Sequence, residues 1–210
     1  MKSINLNENV RVKLTDRGYD VLFETYIEKI RKLKEHFKKN NPEFIEKHGI
    51  GHIARTCVGY YKEPEVDSEG YSTFQLWDVM FEFGPYLDMA VDLPIETDIL
   101  IADSTLNDNG IIYDSKKDNE PNYKAISLNS FVGVKLTPKA TKILKSRKDI
   151  IKPQVDENGY TYFQLWQLMN VFGKNSYMGS DLIFDGFDML IFEENLKEYD
   201  PIKKIKKSRP

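Results

Sequence analysis

Hydrophobic and polar residues alternate at Val10, Val12 and Leu14, and again at Val132, Val134 and Leu136. A period of two marks a strand with one buried face. Both runs end in a threonine, Thr15 and Thr137, placed to cap a helix by accepting from an otherwise unpaired backbone N–H. Pro138 follows at the first helical position, where its missing N–H costs little. Asp16 stands at the matching place and suits the positive end of a helix. Beyond Thr15, the residues Val21, Leu22, Tyr26, Ile27, Ile30, Leu33 and Phe37 recur at helical spacing and predict a long amphipathic helix. The helix after Thr137 is shorter, with Ile143 and Leu144 on its apolar face. A second strand opens at Gly70-Tyr71 and at Gly159-Tyr160, and ends near Phe74 and Phe163. The helix that follows places Leu76, Val79, Met80 and Phe83 on one face, and later Leu165, Leu168, Met169 and Phe172. Gly84 and Gly173 then read as left-handed C-caps. Ile99 to Ile101 and Met189 to Ile191 form a third strand.

Every element is thus met twice, and the residues themselves repeat. Ile4-Asn5-Leu6-Asn7 matches Ile126-Ser127-Leu128-Asn129, 122 positions later. The run from Val66 to Trp77 matches the run from Val155 to Trp166, 89 positions later. The drop of 33 between these offsets assigns the first copy an insertion, roughly residues 28–64. The chain therefore divides into a first repeat (1–101), a polar linker (102–124), a second repeat (125–191) and a basic C-terminal tail (192–210). Asn109-Gly110 signals a turn in the linker, and Ile111-Ile112-Tyr113 a short strand after it. The expected class is α+β: two tandem β-α-β-α-β repeats in a pseudo-two-fold arrangement, the first with a helical insertion.

Composition narrows the function. Charged residues make up 30% of the 210 and hydrophobic ones 40%, which excludes a disordered or collagen-like chain. No apolar run approaches the ~18 residues of a membrane helix, so no membrane partner is expected. The start of the chain lacks the apolar core of a secretory signal, and a lone Cys57 cannot form an internal disulfide. Both point to a cytoplasmic setting. Lysine and arginine crowd residues 28–39 and 202–210, yet the net charge is −3. A dedicated nucleic-acid binder is therefore not expected, and such runs are more often solvated faces.

The candidate chemistry is sparse. Trp77 and Trp166 stand just off the main apolar face of the short helices, with Phe81 on the side of Trp77. They either close the core or anchor an interface, with packing of one copy on the other favoured over an external ligand. Gln75 and Gln164 sit at the strand-to-helix corner and can satisfy loose backbone groups. Asp67 and Asp156, before Gly-Tyr, most simply build turns. His48 and His52 have the i,i+4 spacing of a metal pair, but Gly49 and Gly51 argue against a helix there. No metal, cofactor or catalytic residue is assigned. If a small nucleotide-like signal binds, the expected pocket lies between the copies, lined by Trp77, Trp166, Tyr71, Tyr160 and a basic residue such as Arg55.

The Leu-Thr pair followed by Gly-Tyr-x-x-Phe-Gln-Leu-Trp-x-x-Met-x-x-Phe-Gly resembles short uncharacterised proteins of low-GC Gram-positive bacteria and their phages. Those are similar to one copy here. The resemblance covers most of both copies but not the insertion, the linker or the tail. It carries no activity or site residue over, and what it implies is a phage or prophage setting. By analogy, small accessory proteins there bind and disable a host factor. The expected function is a non-enzymatic binding protein that inhibits a host protein of antiviral defence stoichiometrically. A sponge or enzyme for a nucleotide-like signal, and a nucleic-acid-binding regulator, are the alternatives.

Overall fold

The computed structural model describes residues 1–88, 92–108, 122–147, 150, 153–175 and 183–199. Strands β1 (Lys2–Asn5) and β2 (Asn9–Val12) precede the 25-residue helix α1 (Asp16–Asn40). Helices α2 (Pro42–His48) and α3 (Ile50–Cys57) follow. Strand β3 (Ser72–Gln75) runs straight into α4 (Leu76–Phe83) and a 3-10 turn, Gly84–Tyr86. Strands β4 (Asp98–Ala102) and β5 (Asn107–Asp108) close the N-terminal half. The C-terminal half runs through β6 (Tyr123–Ser127), β7 (Phe131–Val134), α5 (Pro138–Ser146), β8 (Thr161–Gln164) and α6 (Leu165–Phe172). It ends with β9 (Asp188–Ile191) and β10 (Leu196–Glu198). Among the described residues the fold is α+β, with six helices and two antiparallel five-stranded sheets.

Neither sheet belongs to one half. Their strand orders are β5-β1-β9-β7-β8 and β10-β6-β4-β2-β3. Strand β1 lies against β9, with Lys2 opposite Ile191 and Asn5 opposite Asp188. Strand β6 lies against β4, with Asp98 opposite Ser127 and Ala102 opposite Tyr123. The chain crosses from one sheet to the other at residues 6–8 and again at residues 128–130. These crossings use donors that a helix start leaves unpaired. Leu76 and Trp77 N–H donate to Glu8 and Leu6 carbonyls at 2.9 and 3.0 Å. Leu165 and Trp166 N–H donate to Ser130 and Leu128 at the same distances.

This departs from the expected β-α-β-α-β order, because each half carries an extra strand before it and another after it. Strand β1 escapes a local reading since its partners lie more than a hundred residues away, and its buried Ser3 beside Ile4 breaks the alternation. Residues 196–198, grouped with the basic tail on sequence, form β10 against β6. Residues 200–210 lie outside the described residues, as do the Asn109-Gly110 turn and the strand expected at Ile111 to Tyr113.

The long helix starts where its cap places it. Thr15 Oγ1 accepts from Gly18 N–H at 3.2 Å, and Thr137 Oγ1 accepts from Ala140 N–H at 3.3 Å. Asn41 ends α1 and caps α2 with its side chain, at 3.3 Å from Phe44 N. Gly49, at φ +73°, breaks the chain between α2 and α3. Gly51 lies inside α3, contrary to the expectation that both glycines exclude a helix. A glycine there costs about 1 kcal/mol, which burial of Ile53 and Ala54 offsets.

One apolar core spans both halves and includes Ile4, Val12, Phe83, Val132, Phe172 and Met189. Helices α4 and α6 meet at their C-terminal ends. A side chain on Gly84 would overlap the Met169 carbonyl, and one on Gly173 would overlap that of Met80. Both glycines have right-handed helical backbones, φ −48° and −51°, so neither is the left-handed cap expected from sequence. They are glycines because two backbones touch there.

Candidate functional site

Each tryptophan is tied to the crossing loop of its own half. Gln75 Nε2 donates to the Asn7 carbonyl at 3.0 Å, and its Oε1 accepts from Trp77 Nε1 at 2.9 Å. Gln164 bonds Asn129 at 3.4 Å and Trp166 Nε1 at 2.9 Å in the same way. Both indoles are half-buried against the main core, with their one polar atom satisfied. Trp166 also borders a cavity of about 240 Å³ shared with Leu87, Leu93 and Thr97 of the N-terminal half. Phe81 lies one turn beyond Trp77 and is half-buried. At the matching position Asn170 donates to the Leu87 carbonyl at 3.1 Å.

Tyr71 and Tyr160 sit elsewhere. Leu100 and Ala125 alternate along their strands with the core residues Ile99, Ile101 and Ile126, so they occupy the opposite face of the sheet. Tyr71 is buried there, with Tyr123 and Tyr199 packed on the same cluster. The Arg11 guanidinium lies between the Tyr71 and Tyr123 rings, 4.8 and 4.5 Å from their centroids, and bonds both Asp67 and Glu69. Burial pushes the Asp67 carboxyl up. The backbone N–H groups of Tyr71 and Glu69, with Arg11, outweigh it and hold the group below its ordinary value. Burial pushes the Tyr71 phenol up. In the other sheet Lys135 Nζ lies 4.8 Å from the Tyr160 centroid. Asp156 accepts from Asn158 and Tyr160 N–H and from the Tyr162 hydroxyl at 2.9 Å.

The two aspartate turns keep one need and meet it differently. Arg11 faces Thr73 across the strands, while Gly133 faces Tyr162. A Cβ on Gly133 would lie 2.7 Å from the Tyr162 ring, so Tyr162 fills the space that Arg11 fills in the other sheet. Gly133→Arg alone is expected to cost about 2 kcal/mol by overpacking. Gly133→Arg with Tyr162→Thr recovers at least half of that, because arginine then reaches Asp156 in place of the phenol. Urea denaturation of both variants checks this, and additive losses refute it.

The histidines are exposed. His48 ends α2, His52 lies in α3, and their rings stack at 5.7 Å across the break at Gly49. Among the described residues no group of three His, Cys, Asp or Glu side chains is placed to hold a metal. Arg55 donates to the Gly51 carbonyl at 3.3 Å and reaches the Tyr60 hydroxyl at 3.5 Å. The structure does not bring Trp77, Trp166, Tyr71, Tyr160 and Arg55 into one pocket: the tryptophans pack on the main core, Tyr71 lies behind one sheet, and Arg55 is on α3. Half of the basic run of α1 is ion-paired, Arg31 with Glu28 and Glu35, Lys32 with Glu28, and Lys29 with Glu82.

A cavity that the sequence did not announce opens between α1 and α4. It measures about 300 Å³ and is bordered by Leu22, Tyr26, Tyr60, Tyr61, Phe74 and Glu82. Glu82 Oε1 accepts from Lys29 Nζ at 2.9 Å. Asp78, one turn before Glu82, is pushed up by burial and by the Glu82 charge, partly countered by Lys29. The matching sequence blocks differ at this place: at the offset of 89, Asp78 and Glu82 correspond to Gln167 and Val171. Among known proteins, no family model, no curated protein and no solved structure matches the chain.

Proposed function

We propose that the chain is a duplicated module closed on itself as a pseudo-dimer, and that it acts as a non-enzymatic binding protein. Its target is a host protein, in a phage setting one of antiviral defence, occupied at near one-to-one ratio in the host cytoplasm. Reciprocity supports the first part. Strand β1 joins β9 while β6 joins β4, and Gly84 meets Met169 while Gly173 meets Met80. In a two-fold contact, residue i meets j and j meets i.

The observation that carries the binding role is the helical arm found, among the described residues, only in the N-terminal half. Beyond Val21, α1 has no buried residue, α2 has none, and α3 has only Ile53 and Ala54. Phe23 and Ile27 are each 48% exposed on this arm. An arm that adds so little to the core while displaying large apolar side chains suits recognition by a partner.

Immobilised protein is used to capture a target from a Gram-positive host lysate, and the target's activity is then titrated. Inhibition saturates near equal molar amounts. Inhibition at a hundredfold lower ratio, with turnover of a substrate, overturns the reading. Ile27→Glu weakens capture by about tenfold or more and leaves thermal stability nearly unchanged, since the side chain is half in solvent. Undiminished capture by this variant removes the arm from the interface.

A further inference from the structure

Among the described residues two buried side-chain oxygens lack a hydrogen-bond partner, Glu82 Oε2 and Thr161 Oγ1. Only the first belongs to a carboxylate. The matching position in the C-terminal half is the buried Val171, so this helix face accepts an apolar side chain. A buried carboxylate oxygen with no donor is costly, and one kept where an apolar side chain fits calls for an explanation.

We propose that the cavity between α1 and α4 binds a guanine nucleotide, its base edge donating to Glu82 and its phosphate meeting Lys29 and Lys62. Three features of the cavity select this chemistry. Its walls include Tyr26, Tyr60, Tyr61 and Phe74, aromatic side chains that suit a flat ring. Its one anion is Glu82, an acceptor that needs N–H donors. Its two cations are Lys29, paired with Glu82, and Lys62, paired with Glu65 at 2.6 Å where both side chains are exposed. A phosphate competes with these carboxylates for the ammonium groups, and a cationic ligand is opposed. Guanine offers adjacent N–H and NH₂ donors that match the two oxygens of a carboxylate. Adenine presents a ring-nitrogen acceptor beside its amino group and would repel one.

Oε2 is shielded from solvent, so a ligand reaches it by displacing a neighbour. Lys29, bonded to the adjacent Oε1, is the neighbour this proposal displaces. Its side chain is 50% exposed, and releasing Oε1 frees its ammonium for the phosphate. Tyr60, 76% exposed beside the cavity, is the ring able to close over the base. The inference does not rest on the protein-binding reading, since the site lies at the root of the arm.

The test is thermal shift and calorimetry on the full chain with GMP, guanosine and AMP. GMP raises the Tm in proportion to the logarithm of its concentration once it is in excess. Guanosine binds more weakly, and AMP produces no shift at equal concentration. Glu82→Val, which copies the second half, and Glu82→Gln, which keeps the side-chain shape should valine impair folding, each weaken GMP by about tenfold or more. Tyr60→Ala, at an exposed position, also weakens it. No shift with GMP, equal shifts with AMP and GMP, or undiminished GMP binding by Glu82→Gln overturns the proposal. Equal binding of guanosine and GMP overturns the role given to the lysines.

Discussion

Produced separately, residues 1–108 and 122–210 do not fold as stable monomers; mixed, they assemble into one folded complex. Each half on its own lacks the partner of a central strand. Without the C-terminal half, β4 loses β6 and the β1–β5 pair has no sheet to join. Without the N-terminal half, β9 loses β1 and the β6–β10 pair is stranded. Ile4, Leu6, Ile126 and Leu128 are all buried on or beside these exchanged strands. Exposing such side chains forfeits about 1.5–3 kcal/mol each, against a total stability of roughly 5–15 kcal/mol for an ordinary domain. Far-UV circular dichroism and size-exclusion chromatography of each fragment, alone and combined, give the answer. A fragment that forms a homodimer by the same exchange supports the pseudo-dimer. A cooperatively folded monomeric fragment defeats it.

Gly84→Ala and Gly173→Ala each lower stability by about 3 kcal/mol. Overpacking a tight site typically costs about 1–3 kcal/mol. The upper end applies because the first atom met at both positions is a main-chain carbonyl oxygen, of Met169 and of Met80. A flexible side chain can turn aside, but a helix backbone moves only by parting α4 from α6. Positive φ plays no role, so the loss measures interhelical approach alone. The two substitutions act on one seam, and the double variant is expected to lose less than the sum of the singles. Chemical denaturation checks all three proteins. A loss below about 0.5 kcal/mol in either single variant, the range of an ordinary surface change, shows that the helices are not held at contact distance.

Much of the local architecture was legible in the residues. Thr15 and Thr137 announce helix starts, because a cap is a contact across three residues. The faces of α4 and α6 follow from apolar spacing, because burial on one side of a helix is periodic. The tyrosine-lined cavity was not legible in either copy alone, since it brings together α1, the segment after α3, β3 and α4. Only the misfit between Glu82 and Val171 hints at it. The glycines at 84 and 173 were misread for the same reason: a Phe-Gly sequence looks like a helix stop, and only the neighbouring helix shows that the missing Cβ makes room for a carbonyl.

The sequence by itself determined that matching blocks of residues recur along this chain, that strands and helices are mixed throughout, and that the spacing between blocks differs by 33 residues. Those are properties of neighbouring residues, where spacing and side-chain type suffice. Which strand lies beside which was decided by the tertiary structure alone. Hydrogen bonds between strand backbones carry no record of the side chains involved, so β1 suits β9 as well as any closer partner. The choice falls to the core that both halves bury together.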